Sequence, residues 1–267
     1  MSRQRRPLSC TVLCFNEESN LEACLKSVSW CDELVVVDSF STDRTLDVAK
    51  RFTPLVFQRR FDGFARQRLF SFSKTTHEWI LYIDADERLS PDLQTEIQHV
   101  LSQETLDADG FELPRLNFYF GGAVRHGEIY PDYQLRLFRK NRFTMETLAV
   151  HESAKVSGTV KRLTHDIIHL TATDWRVYAR KQDQYTTLEA EKKFKTAKPV
   201  SLLAPTLRAV SGFIKKYFLK KSMLDGVAGL GYAYFHARDR YLLYKKMRSM
   251  QCALRHHSTL STWHGFF

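Results

Sequence analysis

The chain has 267 residues, of which 43% are hydrophobic and 26% charged, a balance typical of globular proteins and sufficient for one large α/β domain with an appendage. The formal net charge of +10 favours an anionic partner, such as nucleic acid, an acidic lipid surface or a phosphorylated substrate. The five cysteines are odd in number and form no Cys-x-x-Cys pair, which argues against a disulfide framework or a zinc site and fits a reducing cytosol.

The first half of the chain alternates strand and helix patterns. Buried strands are predicted at Leu8–Cys14 and at residues 34–37, 55–57 and 79–83. Helices are predicted at residues 20–28, after Ser41-Thr42-Asp43, at residues 64–72, and after the Ser90-Pro91 start signal. This alternation indicates a largely parallel sheet with right-handed crossovers and flanking helices.

The pattern changes after about residue 109. Short extended segments at residues 111–113, 116–120 and 135–138 predict antiparallel strands added to the parallel half. From about residue 174 the chain becomes helical and basic. We therefore predict an α/β domain over residues 1–195 and a basic, amphipathic helical region over residues 196–267.

Membrane signals are few in the sequence. The basic N-terminal residues are not followed by an apolar segment of signal-peptide type. No uninterrupted apolar run reaches the roughly 20 residues that are needed to cross a bilayer. If the protein meets a membrane, we expect it to lie on the surface.

Acidic residues follow three of the predicted strands. Glu17 comes after the first strand, Asp38 ends the second, and Asp84 and Asp86 end the fourth. In a parallel sheet these ends open on one edge, where ligands bind. Asp84 and Asp86 can hold a divalent cation that bridges to phosphate oxygens. Asp38 can accept a hydrogen bond from a nucleobase, and Glu17 can bind a ribose hydroxyl.

These segments resemble the family 2 glycosyltransferases, which have the GT-A fold. The resemblance covers roughly residues 8–190. The matching elements are Asn16-Glu17-Glu18, the segment from Asp38 to Asp43, Asp84-x-Asp86, Gly63 with Gln67-Arg68, Arg136-Leu137-Phe138 and His151-Glu152. Within the family, the chain is most similar to the bacterial subgroup that adds β-linked glucose to the heptose of the lipopolysaccharide inner core.

The resemblance implies a role for each matching acid. Asp38 and Glu17 would contact the uridine of a UDP-sugar, and Asp84 would lie near the ribose and the metal. Asp86 would coordinate Mn²⁺ or Mg²⁺, which bridges the diphosphate. Residues 1–195 would then form a GT-A glycosyltransferase domain.

Two further residues receive roles from the resemblance. Glu152 is the candidate general base, which takes the proton from the acceptor hydroxyl as this hydroxyl attacks the anomeric carbon. Arg136 is a candidate contact of the nucleotide sugar, where its charge would face the leaving diphosphate.

The leading hypothesis is an inverting, metal-dependent enzyme that transfers glucose from UDP-glucose to a lipopolysaccharide core or other glycolipid acceptor. It would be cytoplasmic and peripheral on the inner face of the inner membrane, where the basic C-terminal region contacts anionic lipid. The acceptor could instead be a polyprenyl phosphate or a polysaccharide. A nucleic-acid-binding protein is a third hypothesis, but the acids at the sheet edge would repel phosphate without a metal, so we expect no nucleic acid partner.

Each candidate also has a purely structural interpretation. Asp84 and Asp86 can end a strand in a solvated turn, and Glu17 can be a surface acid that a helix dipole favours. Asp38 can be a turn acid, and Glu152 can form a salt bridge with a nearby base. An ordinary structural or surface arginine is the favoured interpretation of Arg136. His165 and His169 are interpreted as strand or core residues, because no other metal-ligating residues accompany them in a zinc-site pattern. The aromatic residues of the C-terminal region can form a helical core.

Overall fold

A computed structural model describes residues 5–146 and 153–263. The chain divides into two compact units, residues 1–116 with 131–170 and residues 117–130 with 171–267. The predicted boundary at residue 195 falls inside the second of these units, and it stays a prediction.

Four parallel strands form one half of the sheet in the first unit, in the order β3-β2-β1-β4. They are β1 (Leu8–Cys14), β2 (Glu33–Asp38), β3 (Val56–Gln58) and β4 (Trp79–Asp84). The accompanying helices are α1 (Leu21–Val28), α2 (Thr45–Lys50), α3 (Phe64–Ser73) and α4 (Pro91–Ser102). Nearly every residue of β1 and β4 is buried, as expected for parallel strands that are covered by helices on both faces.

The antiparallel half of this sheet follows β4. Strand β8 (Asp132–Arg139) pairs antiparallel with both β4 and β6 (Gly110–Tyr119), and β12 (Ile167–Ala172) pairs antiparallel with β5 (Glu87–Leu89). The short β11 (Val160–Arg162) runs parallel to β6, while β9 (Phe143–Glu146) and β10 (Ser153–Val156) form a separate two-stranded ribbon. The predicted mixed α/β fold is confirmed.

Register places the acidic strand ends side by side. Cys14 of β1 pairs with Asp38 of β2, and Leu13 of β1 pairs with Asp84 of β4. The core beneath this edge includes Leu25, Leu81 and other fully buried apolar residues of the strands and of α1 and α4. The edge is therefore anchored on the buried apolar core of the unit.

The second unit is mainly helical. It contains β7 (Gly122–Val124), α5 (Trp175–Lys193), α6 (Ala204–Ile214) and α7 (Gly226–Trp263), with a π-helical turn at Lys215–Leu219 and a 3₁₀ turn at Ser222–Asp225. The Asp174 carboxylate caps α5 by accepting hydrogen bonds from two backbone N–H groups. The predicted helical, basic C-terminal region is confirmed. No helix within residues 5–146 and 153–263 has the length and apolar character needed to span a membrane.

Candidate active site

The loops that follow β1 and β2 are tied together by side-chain hydrogen bonds. Asn16 Oδ1 accepts a hydrogen bond from the Thr42 backbone N–H at 2.8 Å, and the Asn16 backbone N–H donates to Ser41 Oγ at 2.9 Å. Asn16 and Phe40 have φ angles of 54° and 64°, in the left-handed region that is uncommon for residues other than glycine. The two loops thus form one interlocked rim at the edge of the sheet.

Asp38 lies beneath this rim and is fully buried. Its carboxylate accepts hydrogen bonds from the Ser41 backbone N–H at 3.1 Å, from the Ser41 hydroxyl and from Gln58 Nε2 at 2.9 Å. These donors fix the direction of the carboxylate without an ion pair. The contact between Asp38 and uridine stays a prediction.

Glu17 stands at the start of α1 and is partly exposed. Its backbone N–H donates to Thr45 Oγ1 at 2.8 Å, and its carboxylate accepts a hydrogen bond from Asn20 Nδ2 at 2.7 Å. The residue therefore belongs to the same rim as Asp38. Its contact with the nucleoside also stays a prediction.

Asp84 ends β4 between two arginines. Arg136 Nη2 lies 3.2 Å from Asp84 Oδ2, and Arg68 Nη2 lies 3.4 Å from both carboxylate oxygens. Burial alone would raise the pKa of Asp84, but the two guanidinium groups outweigh it and lower the pKa to about 2. Asp84 is consequently held as a carboxylate whose oxygens are already engaged.

Arg136 forms the centre of a buried ion-pair cluster. Its side chain is 2% exposed, and its Nη2 lies 2.6 Å from Glu87 Oε1. The guanidinium also lies over the Tyr82 ring, 4.6 Å from the ring centroid. Burial would lower the pKa of Arg136, but Glu87 and Asp84 raise it above its ordinary value. The structure therefore shows an internal ion pair for Arg136, and its predicted contact with a nucleotide sugar stays a prediction.

Glu87 received no role from the sequence. It is fully buried, and Glu87 Oε2 accepts a hydrogen bond from the Asp84 backbone N–H at 3.0 Å. Burial raises the pKa of Glu87, against the opposing attraction of Arg136. Glu87 thus links the Asp84 backbone to Arg136 and fixes the turn that carries Asp84 and Asp86.

Asp86 points to a partner that the sequence did not reveal. Its side chain is 26% exposed, and Asp86 Oδ2 lies 3.4 Å from His169 Nε2. His169 is in β12, where it pairs with Glu87 of β5. The interpretation of His169 as a strand residue is confirmed, but it does have an acidic neighbour at the sheet edge. No local sequence signal announces this contact, because it depends on the pairing of strands that are about 80 residues apart.

Asp86 and His169 suit a divalent cation chemically. Carboxylate oxygen and imidazole nitrogen are both ligands of Mn²⁺, and the partly exposed Asp86 remains accessible. Asp84 fits less well, because both of its oxygens contact Arg68. Within the described ranges, no group of three or more His, Cys, Asp and Glu side chains is arranged to hold a metal ion. Asp86 and His169 alone would leave most coordination positions of such a cation open.

The candidate base cannot be placed in this arrangement. His151 and Glu152 lie outside the described residues, between β9 and β10. The proposed role of Glu152 stays a prediction.

Comparison with known proteins gives the site a context. The model of the family described as "Glycosyl transferase family 2" matches residues 9–156. This range covers more than half of the chain and contains all the predicted site residues, from Glu17 to Glu152.

Two curated relatives match nearly the whole chain. The lipopolysaccharide core biosynthesis glycosyltransferase LpsC of Rhizobium meliloti is 26% identical over 250 residues, which cover 88% of this chain and 92% of LpsC. An uncharacterized glycosyltransferase of Rickettsia typhi is 25% identical over 261 residues, with coverage of 94% and 89%. Among solved structures, that of S. aureus TarS 1-349 has a TM-score of 0.45 and 14% identity, covering 94% of this chain and 92% of that chain.

Proposed function

This chain belongs to glycosyl transferase family 2 and is a glycosyltransferase, and we propose that it transfers glucose from UDP-glucose, with inversion and with a divalent metal, to a lipopolysaccharide core acceptor. The observation that carries the proposal is the meeting of three acidic strand ends at one sheet edge, with Asp86 partly exposed and His169 beside it. The carboxyl edge of a parallel sheet is the place where such folds bind nucleotides.

In this proposal Asp86 and His169 hold Mn²⁺ or Mg²⁺. When bound, the cation would stabilise the negative charge of the leaving diphosphate. Arg136 and Glu87 act as positioning residues, because Arg136 keeps Asp84 ionised and Glu87 fixes the turn that carries Asp84 and Asp86. Asp38 and Glu17 contact the uridine from the interlocked rim, and Asp84 faces the ribose.

Proton transfer is assigned to the acceptor side. Glu152 accepts the proton of the acceptor hydroxyl while that oxygen attacks the anomeric carbon and the bond to the diphosphate breaks. The transition state has oxocarbenium character, by analogy with glycoside hydrolysis. Attack from the opposite side of the sugar ring gives inversion.

The acceptor and the location are proposed from a relative and from the charge of the chain. LpsC carries lipopolysaccharide core biosynthesis in its name and is 26% identical to this chain. A glycolipid acceptor lies at a membrane surface, and we propose that the protein is peripheral on the inner face of the inner membrane. The net charge of +10 favours contact with anionic lipids there.

The test measures transfer and binding separately. Calorimetry with UDP-, GDP- and ADP-sugars, with Mn²⁺ or with a chelator, should show metal-dependent binding of UDP-glucose. Turnover with a heptose-terminated core acceptor should fall by at least about 100-fold in Asp86→Asn, since a metal-bridged diphosphate contributes several kcal/mol to the transition state.

The matched control is Asp47→Asn, an exposed aspartate of α2, which should keep wild-type turnover. Wild-type activity of Asp86→Asn in the presence of chelator would contradict the metal assignment. Turnover with a polyprenyl phosphate acceptor equal to that with the core acceptor would contradict the proposed choice of a lipopolysaccharide core acceptor.

A further inference from the structure

Helix α6 directs its large apolar side chains towards solvent. Leu203, Leu207, Val210, Ile214 and Phe218, here called the outer stripe, follow one another at intervals of three or four residues, so they share one helical face. Each is 45–65% exposed. Single exposed apolar residues are normal, but an aligned row of five large ones marks a contact surface.

The opposite face of α6 is made of small residues and packs on α7. Pro205 is buried, while Ala209 and Gly212 are half-buried. A methyl group at Gly212 would lie 3.4 Å from the His236 ring, so the two helices approach closely along this face. The helix thus packs through a face that includes small side chains, while Leu207, Val210 and Ile214 stay exposed on the other face.

The segment that carries the outer stripe is rich in cations. Residues 192–224 contain nine Lys and Arg and no Asp or Glu. Two acids from outside the segment contact it: Glu189 pairs with Lys193 at 2.5 Å, and the Glu128 carboxylate contacts Lys215, Lys216 and Lys220 at 3.6, 3.3 and 2.6 Å. These lysines lower the pKa of Glu128 to about 2. One carboxylate meets three ammonium groups, so an excess of positive charge remains beside the apolar face.

We propose that the outer stripe inserts into the surface of an anionic bilayer, with the neighbouring lysines at the lipid phosphates. Apolar side chains flanked by cations, on a helix without acids, are typical of helices that lie in the membrane interface. A second copy of the chain is a poorer occupant, because a symmetric contact through this face would bring two cationic segments together.

The outer stripe gives the proposed membrane contact a specific surface. This proposal rests on the proposed function only because that function suggests a membrane as the partner. It is tested without sugar substrate, so its failure and the failure of the transferase proposal are distinguishable. The probe is the full chain with vesicles of phosphatidylcholine alone or with about one third phosphatidylglycerol, followed by flotation.

Wild-type protein should float with the anionic vesicles and much less with the neutral ones. The double variant Leu207→Gln/Ile214→Gln should lose at least about tenfold in apparent affinity, because two apolar side chains no longer enter the lipid. The matched control is Val177→Gln/Leu188→Gln on α5, two exposed apolar residues of the same unit, which should bind within about twofold of wild type.

Circular dichroism should be unchanged in both variants, because all four positions are exposed. Failure of the wild type to float with anionic vesicles would overturn the proposal, as would equal affinity of the α6 variant. A wild-type dimer in light scattering that the α6 variant converts to a monomer would assign the stripe to a second copy instead and would also overturn it.

Discussion

In the first unit Arg136 is buried between Glu87 and Asp84, at 2.6 and 3.2 Å. In the second unit Asp239 is half-buried, its Oδ1 lies 3.5 Å from Arg238 Nη1, and this oxygen has no hydrogen-bond partner among the described residues. Burial and Glu189 raise the pKa of Asp239 to about 6, against the attraction of Arg238. Asp84, beside two arginines, shows the opposite shift. The comparison of Asp84 with Asp239 shows that two close guanidinium groups can outweigh burial, whereas one more distant group does not.

The two units also differ in where their exposed apolar residues lie. In the first unit, exposed aromatic residues such as Phe15 and Phe40 follow the strand ends, next to the acids. In the second unit, exposed apolar residues occur on α5, α6 and α7, and those of the outer stripe line up along α6, beside the lysines. In both cases the departure from the usual inside-outside pattern coincides with a proposed function, the donor site in one unit and lipid contact in the other.

The largest effect is expected from removing the centre of the charge cluster. Arg136→Met should lower the free energy of unfolding by about 3–5 kcal/mol, because Glu87 is left as a buried charge without its main partner. Urea denaturation measures the change. If the loss is below about 1 kcal/mol, the cluster does not organise the first unit as described.

Two further variants refine this prediction. Arg139→Met removes an ion pair with the exposed Glu78 and should cost roughly 0–1 kcal/mol in electrostatic stability. The double variant Arg136→Met/Glu87→Gln should recover part of the loss of Arg136→Met, since the unpaired charge is gone. If the double variant recovers no stability, the loss in Arg136→Met comes from packing against Tyr82 and not from the unpaired charge.

A smaller effect is expected at the metal position. His169→Ala should weaken Mn²⁺ binding in the presence of UDP by at least about tenfold, because the cation loses one ligand or one group that orients a ligand. Calorimetry measures this change in affinity. The control is His165→Ala. The His165 ring lies 2.9 Å from the Glu96 carboxylate, and this contact does not involve Asp86. Equal losses in both variants would remove His169 from the site.

The smallest effect is a pH dependence in the second unit. The pKa of Asp239 is about 6 in the folded chain and roughly 3.9 when unfolded. The folded state therefore holds the proton more tightly, and the associated stability is present below about pH 4 and is lost as the pH rises through about 6. Asp239→Asn should unfold with up to about 2 kcal/mol more stability than wild type at pH 8, and this gain should disappear near pH 4.

Asp183→Asn is the matched control for this variant. The Lys246 ammonium lies 2.9 Å from Asp183 Oδ1 and lowers the pKa of that carboxyl. Removal of the charge should therefore leave stability unchanged or reduced at pH 8. A stabilising effect of equal size in both variants would show that the gain reflects lower net charge and not the poorly partnered Asp239.

The sequence predicted the parallel half of the fold closely, because its signals are local. Strand β1 has the predicted bounds, and α4 begins as expected, with the Ser90 hydroxyl accepting a hydrogen bond from the Leu93 N–H. The acids also lie at one edge as predicted, since parallel register follows from the strand-helix alternation.

The rest of the candidate site depends on long-range pairing. The short β5 was not predicted, because its three residues acquire strand geometry only through β12. For the same reason the sequence placed neither His169 beside Asp86 nor Glu87 beside Arg136. Arg136 matched a family motif, but nothing in the linear sequence indicated that its guanidinium lies within the protein interior.

The acid-free segment at residues 192–224 has a consequence for regulation. It contains no Asp, Glu, His or Cys, so none of its side chains ordinarily changes charge between about pH 5 and pH 9. Acidification within this range would leave the charge of the segment itself constant. Its attraction to a bilayer would instead follow the lipid composition and the ionic strength, because salt screens exposed charges within a distance of about 10 Å. The contribution of this segment to the proposed attachment would thus respond to the membrane and not to the proton.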